Sequence, residues 1–390
     1  MFYKFPEITS FKEVEQAIRG RDEFVVADRD WGFAVDYVVS LEDTFKATGS
    51  TGLLRRECRG LKFDRGGNLI GRPYHKFFNL NEREETLSYN VDFSKSFVIL
   101  DKLDGSMIHP IFIDNQVVYC TKLGPTEVAA PVQHFADTHT TIKYNPFCAA
   151  LMNAGWTPIF EWCSPKQRIV VEYTDDNLIL TGVRHMFSGI YMSNSEMRGW
   201  ASMYNVPVVD LFNDSIDDIN AFAERVASMT EGEGCIVRFF DGSMLKLKNL
   251  KYLRIHKVQE LLKFEKSVWK VVVDKSLDDV VGFLPEEDQK WLLAFQDRFW
   301  KTVDTVANDL TWKVIEFNDN HNKGGSAKKF AVEFVNNPSN NFTGSEKSVM
   351  FAINNGYDAK EEILKFVGKN LGSATNLENA KSLLGISWKE

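Results

Sequence analysis

Lys102-Leu103-Asp104-Gly105-Ser106 follows directly on the apolar run VILD at 98–101. A lysine at the end of a strand becomes a nucleophile when burial or neighbouring positive charge strips its proton. Gly105 lets backbone approach a ligand closely, and Asp104 and Ser106 can orient groups around the loop. The plain alternative is a hairpin with Asp-Gly in its turn and Lys102 in solvent.

Other residues bear on that choice. KLKNLKYLRIHK at 246–257 holds Lys246, Lys248, Lys251, Arg254 and Lys257 and no acid. Lys246 and Lys248 lie two apart on a strand pattern, so they share a face. Two ammonium groups on one face repel unless they meet an anion such as a triphosphate, and they depress the pKa of a nearby lysine; a solvated basic edge strand is the other reading. Glu233 precedes Gly234 and the run CIVRFF, where a carboxylate could hold Mg²⁺, an ion that takes one or two carboxylates plus phosphate oxygens. Glu161 is an acid inside the apolar run PIFEWC. A buried acid needs a partner: a ligand hydroxyl, a metal, a lysine or a buried arginine. Arg59-Gly60 ahead of a strand and Lys76 beside Phe77-Phe78-Asn79 suit phosphate and base contacts, although both Phe residues also fit a core. The seven His show no metal spacing, HExxH, GxSxG and Walker A are absent, and GGSAKK at 324–329 lacks the phosphate-loop spacing.

The elements that must position these residues are short. ITSFKEVEQAIR at 8–19 reads as a helix capped by Thr9 or Ser10. From residue 23 to about 255, β-branched and aromatic runs alternate with turn signals at 65–68, 114–115 and 241–243, which predicts antiparallel hairpins. Among these runs are PIFEWC, QRIVVEY, NLILTGVRH and the strand carrying Lys246 and Lys248. Helices interrupt them near 126–138, 143–154 and 216–229, so the region reads as α+β rather than as regular βαβ units. Beyond it, Trp291, Leu292, Phe295, Phe299, Val303, Val306, Leu310 and Val314 recur at helical spacing across 285–317. Polar loops are expected at 318–326 and 336–345, with further helices in KSVMFAINN, AKEEILKFVGKNL and NLENAKSLLGI. The expected division is 1–260 for the α+β domain, including a small N-terminal subregion, and 261–390 for an all-helical C-terminal domain.

With 390 residues, 44% hydrophobic and 26% charged, the chain has enough apolar material for two folded domains and is no disordered polymer. A net charge of −8 argues against a nonspecific nucleic-acid coat while allowing a local basic cleft. The five Cys form no CxxC pair and their count is odd, which fits a reducing cytoplasm better than a disulfide framework. No signal pattern or membrane-length apolar segment is visible, so no membrane association is expected.

KLDGS at 102–106, EGCIV at 233–237 and KLKNLKY at 246–252, in this order, resemble the covalent nucleotidyltransferases: ATP-dependent DNA ligases, RNA ligases and capping enzymes. ECRG at 57–60, RPYHKFFNLNE at 72–82 and FEWCSPKQRIVVEY at 160–173 bring the resemblance closer to the phage RNA ligases of the tRNA-repair type, over about residues 50–280. The resemblance implies an antiparallel-sheet, ATP-grasp-like ligase core and a distinctive helical C-terminal domain that selects RNA. It implies ATP and Mg²⁺ as cofactors, with Mn²⁺ as a substitute, and RNA 5′-phosphate and 3′-hydroxyl ends as partners. No obligatory protein partner is expected, and a viral origin would make the location the host cytoplasm. Lys102 would be the adenylated lysine, with Asp104 and Gly105 in its loop. Arg59, Lys76, Lys122, Lys246 and Lys248 would bind phosphates, Glu161 the ribose, and Glu233 and Asp279 the metal; Tyr252 and Asp279 match family positions in sequence that drifts. The competing readings are a DNA ligase or capping-type enzyme, against which KFFNLNE and the helical C-terminus weigh, and an inactive nucleic-acid-binding homologue, which would not need Lys102, Glu233, Lys246 and Lys248 together.

Overall fold

The structure is a computed structural model that describes residues 4–41, 43–46, 49–282, 284 and 286–388; the side chains of residues 261, 279 and 374 also lie outside the described set. Its contacts divide the chain into two compact units, Met1–Leu253 and Arg254–Glu390.

Among the described residues, three four-stranded sheets build the first unit. The first joins β1 (Phe24–Arg29), β2 (Gly32–Tyr37), β3 (Leu61–Asp64) and β4 (Leu69–Gly71) in that order. It packs on the helix Phe11–Ile18 through Val14, Ile18, Val35, Leu61 and Phe63. Two further strands follow before the second sheet begins: β5 (Phe78–Asn79) and β6 (Phe97–Asp101). The second sheet holds β7 (Ser106–Ile113), β8 (Gln116–Cys120), β9 (Trp156–Cys163) and β10 (Asn177–His185), ordered β10-β9-β7-β8. Asp114 and Asn115 turn β7 into β8 with φ of 49° and 60°, a left-handed pair that Asx side chains tolerate and that matches strand twist. Phe160, Leu178 and Leu180 bury one face against Phe147 and Leu151 of the helix Tyr144–Asn153 and Met197 of the helix Asn194–Met203.

The third sheet, β5-β12-β11-β6, adds β11 (Gly234–Phe239) and β12 (Met244–Lys248). β6, β11 and β12 are antiparallel, and β5 joins β12 in parallel, pairing Phe78 with Leu245 and Asn79 with Lys246. Alternation on β12 buries Leu245 and Leu247 and sends Lys246 and Lys248 to the other face. This is the α+β, antiparallel architecture the sequence pattern predicts.

The second unit is helical. In the 36-residue helix Glu286–His321, Leu292, Phe295, Phe299, Val303, Ala307, Leu310, Val314 and Phe317 form one buried stripe. It packs with Glu265–Val273, Gly344–Asn354, Ala359–Asn370 and Ala374–Leu384 around one core.

Two local expectations are corrected. QRIVVEY is not a strand: the Val170 and Val171 N–H groups are spent on the Asp104 carboxylate, 2.7 Å each, instead of on a neighbouring strand. The long helix runs through Asn318 to His321, into the expected polar loop. The helices Gly49–Glu57 and Asn194–Met203 were not expected from the sequence. All five cysteines are buried and free. Among the described residues, no helix is long and apolar enough to cross a membrane.

Candidate active site

Lys102 emerges from the end of β6, its backbone N–H donating to the Gly234 carbonyl at 3.0 Å. Its amine meets Glu233 Oε2 at 2.6 Å, while Lys248 Nζ meets the other oxygen, Oε1, at 2.8 Å. Glu233 is buried, and the amines retain partial access to the cleft. β11 fixes this arrangement because it lies between β6 and β12, so the register that pairs Cys235 with both Asp101 and Leu247 stacks the three motif stretches side by side. Gly234 (φ +140°) is needed at the crossing: a Cβ there would lie 2.1 Å from the Leu247 carbonyl oxygen.

The loop after the lysine is held from below. Asp104 accepts from Val170 and Val171 N–H through Oδ2 and from the Tyr252 hydroxyl through Oδ1 at 2.7 Å. The Asp104 N–H donates to Tyr173 Oη at 3.0 Å. Its carboxylate is therefore committed to ordering the loop. Gly105 lies against β9, where a Cβ would fall 2.2 Å from the Trp162 carbonyl oxygen and 3.2 Å from Glu161 Cγ. Glu161 stands on β9 opposite Met107. Burial pushes its carboxyl up to about 7, with Lys102 opposing and Glu233 reinforcing the shift.

Lys246 is the counterpart. Its ammonium sits over the Phe77 ring at 5.0 Å, and among the described residues no carboxylate comes within ion-pair distance of it. Burial, then the positive charges of Lys76, Arg59 and Lys102, pull its pKa down to about 7. Arg59 reaches the Met107 sulfur at 3.0 Å and Lys76 the Tyr37 hydroxyl at 3.2 Å. Neither forms an ion pair with a carboxylate among the described residues. Lys76 lies over the Tyr37, Phe78 and Phe45 rings at 4.7, 5.4 and 5.6 Å. Lys122 pairs with Asp36 at 2.7 Å and faces the same Tyr37 ring at 5.2 Å. Burial alone would raise the Tyr37 phenol, but Lys76, Arg59 and Lys122 together bring it below its ordinary value.

Arg59, Lys76, Lys102 and Lys246 thus lie within electrostatic reach of one another, Glu161 and Glu233 stand among them, and Lys248 joins through Glu233; Lys122 and Lys76 both lie over the Tyr37 ring. Asp279 lies in the helical unit and its side chain is outside the described residues. Sequence reasoning missed Asp36, Tyr37 and Lys62. Asp36 and Tyr37 close the strand GFAVDY, and only the pairing of β2 with β3 brings them near Arg59. A lysine inside LKFD was a visible oddity that signalled Lys62. Among the described residues no group of three or more His, Cys, Asp or Glu is placed to hold a metal.

A family model described as RNA ligase matches residues 57–260, more than half of the chain. The chain belongs to this RNA ligase family. A protein of Thermovibrio ammonificans described as a candidate RNA ligase is 30% identical over 260 residues, 64% of each chain. RNA ligase 1 of bacteriophage TS2126 is 24% identical over 40% of each chain. The chain therefore spans less than two thirds of the length of either relative. Among solved structures, a Naegleria gruberi RNA ligase with pyrophosphate aligns with a TM-score of 0.37 and 18% identity over 47% of this chain and 57% of its own. A candidate ATP-dependent DNA ligase from Aquifex aeolicus aligns with a TM-score of 0.44 and 12% identity over 83% and 80%.

Proposed function

We propose that the protein is an ATP-dependent RNA ligase that joins 5′-phosphate and 3′-hydroxyl ends through a lysyl-AMP intermediate on Lys102. The observation that carries this reading is the convergence of Arg59, Lys76 and Lys246, none in an ion pair with a carboxylate among the described residues, on the cleft that holds Lys102. Clustered cations repel one another unless an anion joins them, and a triphosphate supplies that anion.

In the first step the Lys102 lone pair attacks the α-phosphorus of ATP. A P–N bond forms, the bond to the bridging oxygen breaks, and pyrophosphate leaves. In the second step an oxygen of the RNA 5′-phosphate attacks the same phosphorus and the lysine amine departs with a proton. In the third the RNA 3′-hydroxyl attacks the activated 5′-phosphate and AMP leaves. Each step develops charge on phosphate oxygens, so preorganised cations supply most of the catalysis. Lys246 and Lys248 stand on one face of β12 to neutralise and align the phosphates, and Arg59, Lys76 and Lys122 hold the leaving pyrophosphate. Glu161, partly protonated at neutral pH, suits a hydrogen bond with a ribose hydroxyl.

Attack requires a free lone pair, and without ligand the Lys102 amine is committed to Glu233. The donor set fits Mg²⁺: Glu233, with Glu161 near it, is an oxygen donor that a hard cation shares with phosphate. When bound, that ion would neutralise phosphate charge, and the Glu233 carboxylate drawn to it would release Lys102.

The helical unit Arg254–Glu390, nearly all of it outside the matched segment, is assigned the choice of RNA, a cut tRNA among the candidates. The cytoplasm, where ATP and broken RNA meet, is the proposed location, and for a viral protein that of the host cell. The decisive test is α-labelled ATP with wild type and Lys102→Ala, followed by circularisation of a 5′-phosphate RNA against a 3′-phosphate control. Label on wild type alone and circles from the 3′-hydroxyl RNA are expected. A labelled Lys102→Ala protein would sink the assignment, and GTP outcompeting ATP would favour a capping-type enzyme.

A further inference from the structure

Lys62, on β3, is fully buried, and its amine donates to two carbonyl oxygens, those of Gly60 and Lys122, both at 2.8 Å. Resting on the function proposed above, we propose that Lys62 is a positioning residue: its amine straps the Arg59–Gly60 backbone to the Lys122 backbone and so sets the spacing of the two cations, Arg59 and Lys122.

The two segments it ties are distant in sequence and touch directly. Gly60 adopts φ +92°, and a Cβ there would lie 3.0 Å from Lys122 Cα. The Gly60 N–H donates to the Val35 carbonyl at 2.9 Å, one residue before Asp36, which holds the Lys122 amine. Lys62 thus closes a ring of contacts through Val35, Asp36 and Lys122 back to Gly60. Burying an amine is expensive, and an aliphatic side chain would fill a strand interior without that cost. The amine is accounted for by the two carbonyls, each within two residues of a cation of the site.

The groups facing Lys62 are Asp36 on β2, His109 on β7, Cys120 on β8 and Lys122 beyond it. Burial pulls its amine down to about 8, opposed by Cys120 and Asp36 and reinforced by Lys122. His109 is itself buried, with both ring nitrogens unpartnered among the described residues, and burial, Lys62 and Arg59 hold it well below its ordinary value, so it stays neutral. A neutral amine keeps two N–H groups and an ammonium has three. The strap therefore persists in either form.

The experiment measures the rate of lysyl-AMP formation against ATP concentration in wild type, Lys62→Met, Lys122→Ala and the double variant. Met keeps the apolar stem of the side chain, ends one atom short of the amine and loses both donors. A rise of at least about tenfold in the KM for ATP is expected for Lys62→Met, with a much smaller change in the maximal rate. In the Lys122→Ala background the Lys62→Met effect should shrink to about twofold or less, because its action through Lys122 is already gone. A purely structural lysine would lower Tm and leave that coupling at zero. Should Lys62→Met not fold, Lys62→Gln decides: its amide is one bond too short to reach both carbonyls, so its KM for ATP should rise at least about threefold. A KM at the wild-type value in the folded variant, or independent effects of Lys62 and Lys122, would overturn the proposal. Absence of any adduct on wild type would instead overturn the ligase reading and leave the Lys62 geometry untouched.

Discussion

Replacing Lys246 by Met should stabilise the ligand-free protein while abolishing its reaction with ATP. Burial and three neighbouring cations bring the Lys246 pKa from 10.5 to about 7. At roughly 1.4 kcal/mol per unit, the full shift would correspond to about 5 kcal/mol of penalty on the charged form. The side chain keeps some access to the cleft, so solvent screening cuts this to about 2–3 kcal/mol. Met fills the same space but loses the cation–π contact with Phe77, worth up to about 1 kcal/mol. A net gain of about 1–2 kcal/mol remains, or roughly 3–6 °C in Tm for a unit of this size. The pH dependence has a definite sign. The folded value lies below the unfolded one, so the unfolded chain binds the extra proton in between, and wild-type stability from this group rises as pH climbs from about 7 towards 10.5. Lys62 and the buried thiols titrate in the same range, so the informative quantity is the Tm difference between the two proteins. Thermal melts without ligand should show the advantage of Lys246→Met largest at about pH 7 and below, and closing as pH approaches about 10. Pyrophosphate should stabilise wild type more than the variant. A variant less stable than wild type at neutral pH, or a Tm difference independent of pH, would refute the view that Lys246 is a cation held in place for an absent anion.

Gly105→Ala should leave the fold recognisable and slow lysyl-AMP formation by about 100-fold, since a displacement of about 1 Å at a reacting group costs that much; the added methyl would lie 2.2 Å from the Trp162 carbonyl oxygen. A normal adduct rate with α-labelled ATP would show that the Gly105–β9 contact does not set the lysine. Glu57→Gln should cost roughly 3–5 kcal/mol by leaving the Arg72 and Arg184 guanidiniums buried and unbalanced. Burial alone would raise the Glu57 carboxyl, but Arg184 and Arg72 outweigh it and hold it at about 2 against an ordinary 4.5. Its contribution is therefore present above 4.5 and lost as pH falls towards 2; acid titration of the melts should show that loss in wild type and not in the Gln variant.

Much of the site was legible from residue type and period. Alternation on β12 required Lys246 and Lys248 to share a face, whatever sheet received them. Asp-Gly and Asp-Asn turns required hairpins, and the apolar stripe from Leu292 to Phe317 required a helix. These are local consequences of backbone geometry, so a short window of sequence contains them. The resemblance carried by KLDGS, EGCIV and KLKNLKY supplied the roles. Strand order was not local. That Glu233 stands between Lys102 and Lys248 follows from β11 pairing with β12 through a local hairpin and with β6 across more than a hundred residues. That KFFNLNE lies beside Lys246 follows from the parallel β5–β12 pair. QRIVVEY has strand composition and became a loop because a buried carboxylate, Asp104, outbid any neighbouring strand for its N–H groups. Lys62 was a visible anomaly whose meaning depended on which two carbonyls surround it. The sequence by itself determined which groups could do chemistry and which faces they occupy. The tertiary structure alone decided which cations meet without counterions, because charge compensation depends on distances between segments that no local pattern encodes.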